Sequence, residues 1–235
     1  MKIFAIGFNY PSHTREMKGI FTPRTGFSTQ GAVSTTSDSD FREKEKEVVP
    51  FSDLQEPIFF MKPDTALLQR GRPFFLPDFS EEVHYEMEVV VKIDRLGKNI
   101  AERFAHRYYS EVTVGIDFTA RDIQRRQKER GLPWEIAKSF DNSAAIGTFV
   151  SKSDFEELSN LDFHLDINGK MVQRGNTSDM IFTVDKIISY ISRFFTLKVG
   201  DILFTGTPAG VGSVAINDHL QGYLGGQKLL DFRVK

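Results

Sequence analysis

The feature that most constrains the fold is a series of short strand-like runs, separated by turns rich in glycine and proline. Such runs, with β-branched and aromatic residues, are typical of β-strands, whereas few segments have a helical period. Short strands are predicted in "KIFAIGFNY" and "RPFFLP". From residue 85 onward the predicted strands are 85–92, 112–117, 145–150, 162–167, 171–174, 201–205 and 229–234, and the predicted helices are 100–108, 119–130 and 184–195. Asn168-Gly169 predicts a hairpin. We therefore expect an α+β fold that is mostly β, a roll or sandwich with a few peripheral helices.

One polar segment interrupts this pattern. The chain has 235 residues, which suits one large domain. Residues 18–55 differ in composition, because residues 28–47 within them contain few apolar residues and many Ser, Thr and Asp and end in alternating charge. Such a segment buries too little surface to offset its ordering entropy. We predict a single domain over residues 1–235, with a mobile lid insert at about 18–55.

Composition excludes several classes of function. The net charge of −2 and the pI near 6.2 give no reason to expect a nucleic-acid partner. The absence of cysteine excludes disulfides and thiolate nucleophiles, and it is compatible with a reducing compartment. No apolar run approaches the ~18–20 residues of a membrane span, and the first residues lack a signal-peptide pattern. We expect a cytoplasmic protein without membrane contact.

The stretch "HYEMEVVV" places Glu86 and Glu88 two residues apart in an apolar run. In a strand both carboxylates would project from one face, where their charges repel. They could simply form the solvated face of a half-buried strand. Alternatively, they could bind a hard divalent cation, which takes carboxylate oxygens as ligands.

A second set of polar residues follows in "VTVGIDFTARDIQ". Thr119 and Asp122 resemble a capping box that begins a helix. Asp117, Arg121 and Gln124 then fall on one helical face, at the end of a predicted strand. This spacing is plausible for a ligand-facing set, although Asp117 could be only a helix cap and Arg121 only a surface ion pair.

Four further residues could carry chemistry. Lys138, in "PWEIAKSFD", either extends to the surface or sits in a pocket for a substrate anion. Thr207 lies in the glycine-rich turn "TGTPAG", whose backbone N–H groups could meet an anion. In "HTRE", His13 and Glu16 could touch on one helical face, as a general base and its orienting carboxylate do, or could be surface residues.

Taken together and in this order, these stretches resemble the fumarylacetoacetate hydrolase family, in its short acylpyruvate-hydrolase-like and 2-hydroxyhepta-2,4-diene-1,7-dioate isomerase-like branch. The resemblance also runs through "GFNYPSHTREM", "FFMKPDTALL", "NGKMVQRGNTSDMIF" and "SRFFTLKVGD". It implies a mixed β-sandwich roll, a homodimer, and one Mg²⁺ or Mn²⁺ per site, which Ca²⁺ could replace in a crystal. The site residues that it implies are Glu86, Glu88 and Asp117 for the metal, Arg121, Gln124 and Thr207 for the substrate, and His13, Glu16 and Lys138 for catalysis.

The resemblance also implies a reaction class. Such enzymes act on 2-oxo acids through a metal-stabilised enolate, and we expect C–C bond hydrolysis of an acylpyruvate or fumarylpyruvate-like substrate. The alternatives are isomerisation or hydration of hydroxymuconate-type dienoates, oxaloacetate decarboxylation, and binding of a 2-oxo acid without turnover. The insert at 18–55 departs from similar short-branch proteins, which have only a brief connection there. Because the insert directly follows His13 and Glu16, it bears on the role of these two residues more than on the metal site.

Overall fold

The computed structural model describes residues 1–13 and 55–235, and within them fourteen strands form three sheets. The strands are β1 (Ile3–Gly7), β2 (Ile58–Lys62), β3 (Val83–Tyr85), β4 (Met87–Ile93), β5 (Tyr109–Asp117), β6 (Thr119–Ala120), β7 (Ala144–Ile146), β8 (Val150–Ser151), β9 (Asp162–Ile167), β10 (Lys170–Asn176), β11 (Ile202–Phe204), β12 (Gly212–Ser213), β13 (His219–Leu224) and β14 (Gln227–Arg233). The helices are α1 (Glu102–Ala105), α2 (Arg121–Glu129), α3 (Glu135–Lys138) and α4 (Val184–Ser192). Single 3₁₀ turns span Asp64–Ala66, Lys152–Asp154 and Thr177–Asp179, and residues 11–13 are helical. The predicted α+β, mostly β, fold is confirmed.

The largest sheet has seven strands in the order β2-β1-β11-β4-β5-β7, with β8 also paired to β5. Strands β1 and β11 are parallel, whereas the other pairs of this sheet are antiparallel, so the sheet is mixed. A four-stranded antiparallel sheet has the order β10-β9-β13-β14, and a small sheet has the order β12-β3-β6.

The main core lies between the seven-stranded and the four-stranded sheet. Strand β4 sends Met87, Val89 and Val91 into a continuous apolar cluster, as strand alternation predicts. The sheets approach so closely that a Cβ at Gly222 of β13 would lie 2.9 Å from Met87 Cε. This packing makes β4 and β5 rigid supports for residues at their ends.

Two local predictions had opposite outcomes. The Asn168-Gly169 hairpin between β9 and β10 is confirmed, and both residues have positive φ, 55° and 77°, as its turn requires. The capping box was wrong, because Thr119 pairs with His84 in the small sheet and helix α2 begins only at Arg121, with no side-chain cap.

Two predicted elements have other bounds in the structure. The helix predicted at 100–108 is shortened to Glu102–Ala105, and the strand predicted at 145–150 is divided into β7 and β8.

One buried asparagine joins the ends of the parallel pair β1 and β11. Asn9 follows β1, and its Nδ2 donates to Thr205 O at 2.7 Å and to Phe182 O at 3.0 Å. Its Oδ1 accepts from Phe182 N at 2.7 Å. The segments that follow β1 and β11 are therefore held together at the ends of these two strands.

The predicted insert falls almost entirely outside the described residues. In the part of the chain that the structure describes, no helix combines the length and the apolar character needed to cross a membrane.

Candidate active site and metal centre

Three carboxylates converge where β3, β4 and β5 meet. Glu86 lies between β3 and β4, Glu88 lies in β4, and Asp117 ends β5. A hydrogen bond of 2.9 Å from Asp117 N to Glu86 O ties the segments together. The three side chains are buried, and one oxygen from each lies within 4.8 Å of the others. Because they are buried, Glu86 and Glu88 do not form the solvated face of a half-buried strand.

Buried cations surround these carboxylates. Lys138 Nζ lies 2.8 Å from both Glu86 Oε2 and Asp117 Oδ2. Arg121 Nη2 lies 2.7 Å from Glu86 Oε1. Lys138 and Arg121 are only 4% and 2% exposed, so neither forms a surface ion pair. Burial alone would raise the pKa of Glu86, but the charges of Lys138 and Arg121 outweigh it and hold that pKa well below its ordinary value.

The same network contains a residue that the sequence did not single out. Lys62, at the end of β2, is buried, and its Nζ lies 2.8 Å from Asp117 Oδ1. It also donates to Ser143 Oγ at 3.0 Å and to Lys138 O. The available signal was a lone lysine in the apolar stretch "FFMKP", which is usually read as a side chain that extends to the surface.

This arrangement of charges disfavours the ionised form of Glu88. Burial, together with the charges of Asp117 and Glu86, raises the pKa of Glu88 well above its ordinary value. One backbone donor meets it, because Gly206 N lies 2.5 Å from Glu88 Oε2. Gly206 has φ +98°, and a Cβ there would lie 2.7 Å from Asn9 Cβ, so this close approach requires glycine. The acceptor that this glycine-rich turn contacts in the structure is therefore the protein's own Glu88 side chain.

The residues fit a divalent cation. Carboxylate oxygens are the ligands that Mg²⁺ and Mn²⁺ prefer. Asp117 Oδ1 is buried, and the Lys62 ammonium lies 2.8 Å from it. A cation would also relieve the repulsion that raises the pKa of Glu88. Glu86, Glu88 and Asp117 could therefore hold a divalent metal.

Helix α2 presents the predicted polar face to this centre. Arg121 Nη1 donates to Gln124 Oε1 at 2.7 Å, and both side chains are buried. Arg121 Nε donates to His84 Nδ1 at 3.3 Å, and His84 Nε2 lies 2.8 Å from Glu82 Oε1. His84 is a further residue of the site that the sequence did not single out.

A cavity opens beside the carboxylates and brings together most of the predicted site. Its walls combine charged and aromatic side chains. The lining residues are Ile6, Gly7, Phe8, His13, Phe60, Glu86, Asp117, Arg121, Gln124, Lys128, Trp134, Lys138 and Thr207. Of the predicted residues, Glu88 is not part of the lining, and Glu16 lies outside the described residues.

Thr207 is fixed by a second buried amide. Its hydroxyl donates to Met87 O at 2.8 Å and accepts from Gln173 Nε2 at 2.8 Å. Gln173 Oε1 accepts from Met87 N at 3.0 Å. The turn that carries Thr207 is thus tied to the start of β4, one residue from each glutamate.

Comparisons with known proteins agree with this architecture. Residues 2–231 match the family model described as fumarylacetoacetate (FAA) hydrolase C-terminal. Oxaloacetate tautomerase FAHD1, mitochondrial, of Mus musculus is 40% identical over 182 residues, which is 77% of this chain and 82% of that protein. Oxaloacetate tautomerase YcgM of Escherichia coli is 38% identical over 176 residues, 74% of this chain and 80% of that protein.

A solved structure adds a likeness over the whole chain. Fumarylpyruvate hydrolase from Pseudomonas aeruginosa, in complex with Mn²⁺ and pyruvate, superposes with a TM-score of 0.79 at 33% identity. The match covers 100% of this chain and 89% of that chain. From the sequence match and the shared fold, we conclude that the chain belongs to the fumarylacetoacetate hydrolase family.

Proposed function

We propose that this protein is a divalent-metal-dependent enzyme that forms and reprotonates the enolate of a 2-oxo acid, with oxaloacetate keto–enol tautomerisation as its leading reaction. The observation that carries the proposal is the Lys138 ammonium, which lies 2.8 Å from two buried candidate metal ligands and lines the cavity. The names of two relatives, both oxaloacetate tautomerases, support this choice of substrate.

Glu86, Glu88 and Asp117 would hold Mg²⁺ or Mn²⁺. When bound, the cation would polarise the 2-oxo group and offset the negative charge of the enolate. The Mn²⁺ in the related fumarylpyruvate hydrolase supports a cation of this type.

Lys138 supplies a fixed positive charge and does not act as a base. Burial alone would lower its pKa, but Asp117 and Glu86 outweigh that effect and raise the pKa. The amine therefore stays protonated at neutral pH and donates hydrogen bonds. A donor held in place before reaction stabilises a developing oxyanion without reorganisation.

His13 is the group in the cavity best suited to carry a proton. It lines the cavity together with Lys138, and imidazole commonly titrates near neutral pH. We propose that His13 carries the proton between C3 and the 2-oxo oxygen of the substrate, so that the enolate is protonated at C3 to give the keto form or at oxygen to give the enol form. Glu16 would orient the imidazole, as predicted from the sequence.

Arg121, Gln124 and Thr207 would orient the substrate. The guanidinium of Arg121 is fixed by Glu86, Gln124 and His84, so little of its freedom is lost on binding. Because the Thr207 hydroxyl donates to Met87 O, we propose that it meets a substrate carboxylate only after giving up that hydrogen bond.

Acylpyruvate hydrolysis is the second candidate. It uses the same enolate, and it needs a base that activates water, a role that His13 in the cavity could also fill. The fumarylpyruvate hydrolase among the similar structures supports it. It was the leading expectation from the sequence, and we now place it second to tautomerisation.

Hydrogen–deuterium exchange tests the enolate step without assuming the product. The metal-loaded protein should accelerate exchange at C3 of oxaloacetate in D₂O, followed by NMR. Removal of the metal, or the Glu86→Gln and Glu88→Gln double substitution, should abolish the acceleration, whereas Glu156→Gln on the surface should not. Full activity of the double variant would contradict the metal assignment.

A second experiment tests the role of His13. His13→Ala should stop tautomerisation and acylpyruvate hydrolysis, which need a proton carrier. It should largely spare oxaloacetate decarboxylation, because loss of CO₂ generates the enolate without a base. Equal loss of all three activities would mean that His13 does not act as the proton carrier.

We also propose, from the family resemblance, a single catalytic domain, a homodimer and a cytoplasmic location. Light scattering during size-exclusion chromatography would check the dimer, because a dimer of 26.8 kDa protomers would have twice that mass.

A further inference from the structure

The small sheet β12-β3-β6 places His84 beside the start of helix α2. His84 of β3 pairs with Thr119 of β6, and Arg121 begins the helix two residues later. The backbone N–H of Arg121 also donates to Glu82 O at 2.7 Å, which extends the contact between the two segments. The segment around β3 therefore holds Arg121 by its backbone as well as by its side chain.

His84 connects the guanidinium of Arg121 to the protein surface through both of its ring nitrogens. Arg121 Nε donates to His84 Nδ1 at 3.3 Å, and His84 Nε2 lies 2.8 Å from Glu82 Oε1. The other oxygen of Glu82 accepts from Arg125 Nη2. Arg121 is buried, whereas His84, Glu82 and Arg125 are partly exposed, so a continuous series of hydrogen bonds runs from the cavity wall to solvent.

These contacts determine which nitrogen of His84 carries the proton. A guanidinium keeps all its protons in proteins, so Nε of Arg121 can only donate. The Nδ1 atom that it contacts must accept with its lone pair. The proton of the neutral ring then lies on Nε2, which donates to Glu82. Arg121 on one side and Glu82 on the other therefore fix the same tautomer.

The guanidinium of Arg121 is held at each of its three nitrogens. Nε donates to His84, and Nη1 and Nη2 donate at 2.7 Å to Gln124 Oε1 and Glu86 Oε1. Within the described part of the chain these bonds use one N–H on each nitrogen, so one N–H on each Nη is left for a ligand. Both lie in the guanidinium plane, and hydrogen bonds to a planar carboxylate depend on the orientation of that plane.

We infer that His84 is a positioning residue which, through Nδ1, holds the guanidinium of Arg121 in the orientation that binds the carboxylate of a 2-oxo acid. The inference rests on the proposed function, in which Arg121 orients the substrate. His84 is not among the residues that line the cavity, so it acts through Arg121 and does not touch the ligand.

Two isosteric substitutions separate the roles of the two ring nitrogens. The amide oxygen of asparagine is the same number of bonds from Cβ as Nδ1 of histidine, whereas the amide group of glutamine extends as far as Nε2. His84→Asn therefore keeps an acceptor for Arg121, and His84→Gln keeps only the contact with Glu82. His84→Phe keeps the ring and loses both contacts. A role in packing alone would not favour the smaller asparagine over the other two.

Calorimetry with pyruvate measures the effect on binding without turnover. Pyruvate carries the 2-oxo acid group, and it is the ligand bound with Mn²⁺ in the related fumarylpyruvate hydrolase. In full-length protein saturated with Mn²⁺, Kd for pyruvate should rise about ten-fold in His84→Phe and His84→Gln, the value of one hydrogen bond to a charged group. His84→Asn should bind pyruvate nearly as tightly as wild type. His106→Phe, at an exposed position, is the matched control and should match wild type.

A double-mutant cycle tests whether the effect passes through Arg121. Arg121→Lys keeps the positive charge but lacks Nε, so it should weaken pyruvate binding by itself. In that background His84→Phe should weaken binding no further, because the contact that it removes is already absent. Additive losses would mean that His84 acts independently of Arg121, which would overturn the inference.

The outcomes separate this inference from the proposed function. If wild type binds pyruvate and accelerates exchange at C3 of oxaloacetate, but the three His84 variants bind pyruvate as wild type does, the positioning role is overturned and the proposed function stands. The same holds if His84→Asn loses as much affinity as His84→Gln, because Nδ1 is then not the atom that matters. If Mn²⁺-loaded wild type neither binds pyruvate nor accelerates the exchange, both fail.

Discussion

At the scale of single residues, ionisation of Glu88 is disfavoured in the fold without a cation. Glu88 is buried beside Asp117 and Glu86, and Gly206 N donates to one of its oxygens. The pKa of Glu88 is raised from its ordinary value of 4.5 in the metal-free protein. The folded state therefore holds a proton that the unfolded state releases above that pH.

This gives a prediction for stability against pH. As pH rises above about 4.5, the unfolded state binds fewer protons than the folded state at this site, so the free energy of unfolding of the metal-free protein falls until Glu88 ionises. Glu88→Gln should remove this part of the pH dependence and leave metal-free Tm at neutral pH equal to wild type or higher. Thermal unfolding between pH 4.5 and 8 checks it, with exposed Glu156→Gln as the control. A large loss of Tm in Glu88→Gln would contradict it.

A second residue-scale prediction concerns Lys138. Lys138→Met removes the cation that lies 2.8 Å from Glu86 and Asp117. We expect kcat for enolate formation to fall by about 10²–10³, as when one preorganised oxyanion donor is lost. Steady-state kinetics with saturating metal checks this, and exposed Lys170→Met should retain wild-type kcat. A change in KM alone would assign Lys138 to ground-state binding instead.

Strand alternation predicted that Glu86 and Glu88 lie on one face. That Asp117 joins them was implied by the family resemblance and not by spacing. The helical face of Arg121 and Gln124 could have been extended by one turn to Lys128. Lys62 could not be found in this way. Its partners Asp117 and Ser143 come from distant segments, and only tertiary packing brings them together.

At the scale of secondary-structure elements, the junction between β1 and β11 holds the cavity wall. Asn9→Ala would leave Phe182 N, Phe182 O and Thr205 O without their side-chain partner in a buried region. We expect the free energy of unfolding to fall by about 2–4 kcal/mol, and activity to fall with it. Urea unfolding measures the free energy of unfolding, and steady-state kinetics measure the activity. Exposed Asn160→Ala should change neither quantity.

Element boundaries followed local rules only where no distant strand competed. The hairpin at Asn168-Gly169 formed as predicted, because its turn chemistry is contained in two residues. Thr119 did not cap helix α2, because its backbone pairs with β3 and its hydroxyl donates to Glu86 Oε1 at 3.1 Å. That competing partner is invisible in a local window of sequence.

At the scale of the whole molecule, metal binding should stabilise the fold. If Mg²⁺ or Mn²⁺ binds only the folded state, a concentration of 100 times Kd adds about 2.7 kcal/mol. For a chain of 235 residues this raises Tm by about 5–10 °C. Differential scanning calorimetry checks it, and the Glu86→Gln and Glu88→Gln double variant should show no shift. A similar shift in that variant would locate the metal elsewhere.

The parallel pairing of β1 with β11 also sets an order of events during synthesis. Asn9 and Thr205, which a hydrogen bond joins, are 196 positions apart, so strand β1 leaves the ribosome long before its parallel partner β11 exists. Until then β1 can pair with β2, but its other edge is unpaired and apolar, a state prone to wrong association. A nascent chain arrested before β11 would already contain all three carboxylates but would lack the turn that carries Gly206 and Thr207. Catalytic competence therefore arises late, and activity reports that the translated chain has closed its largest sheet.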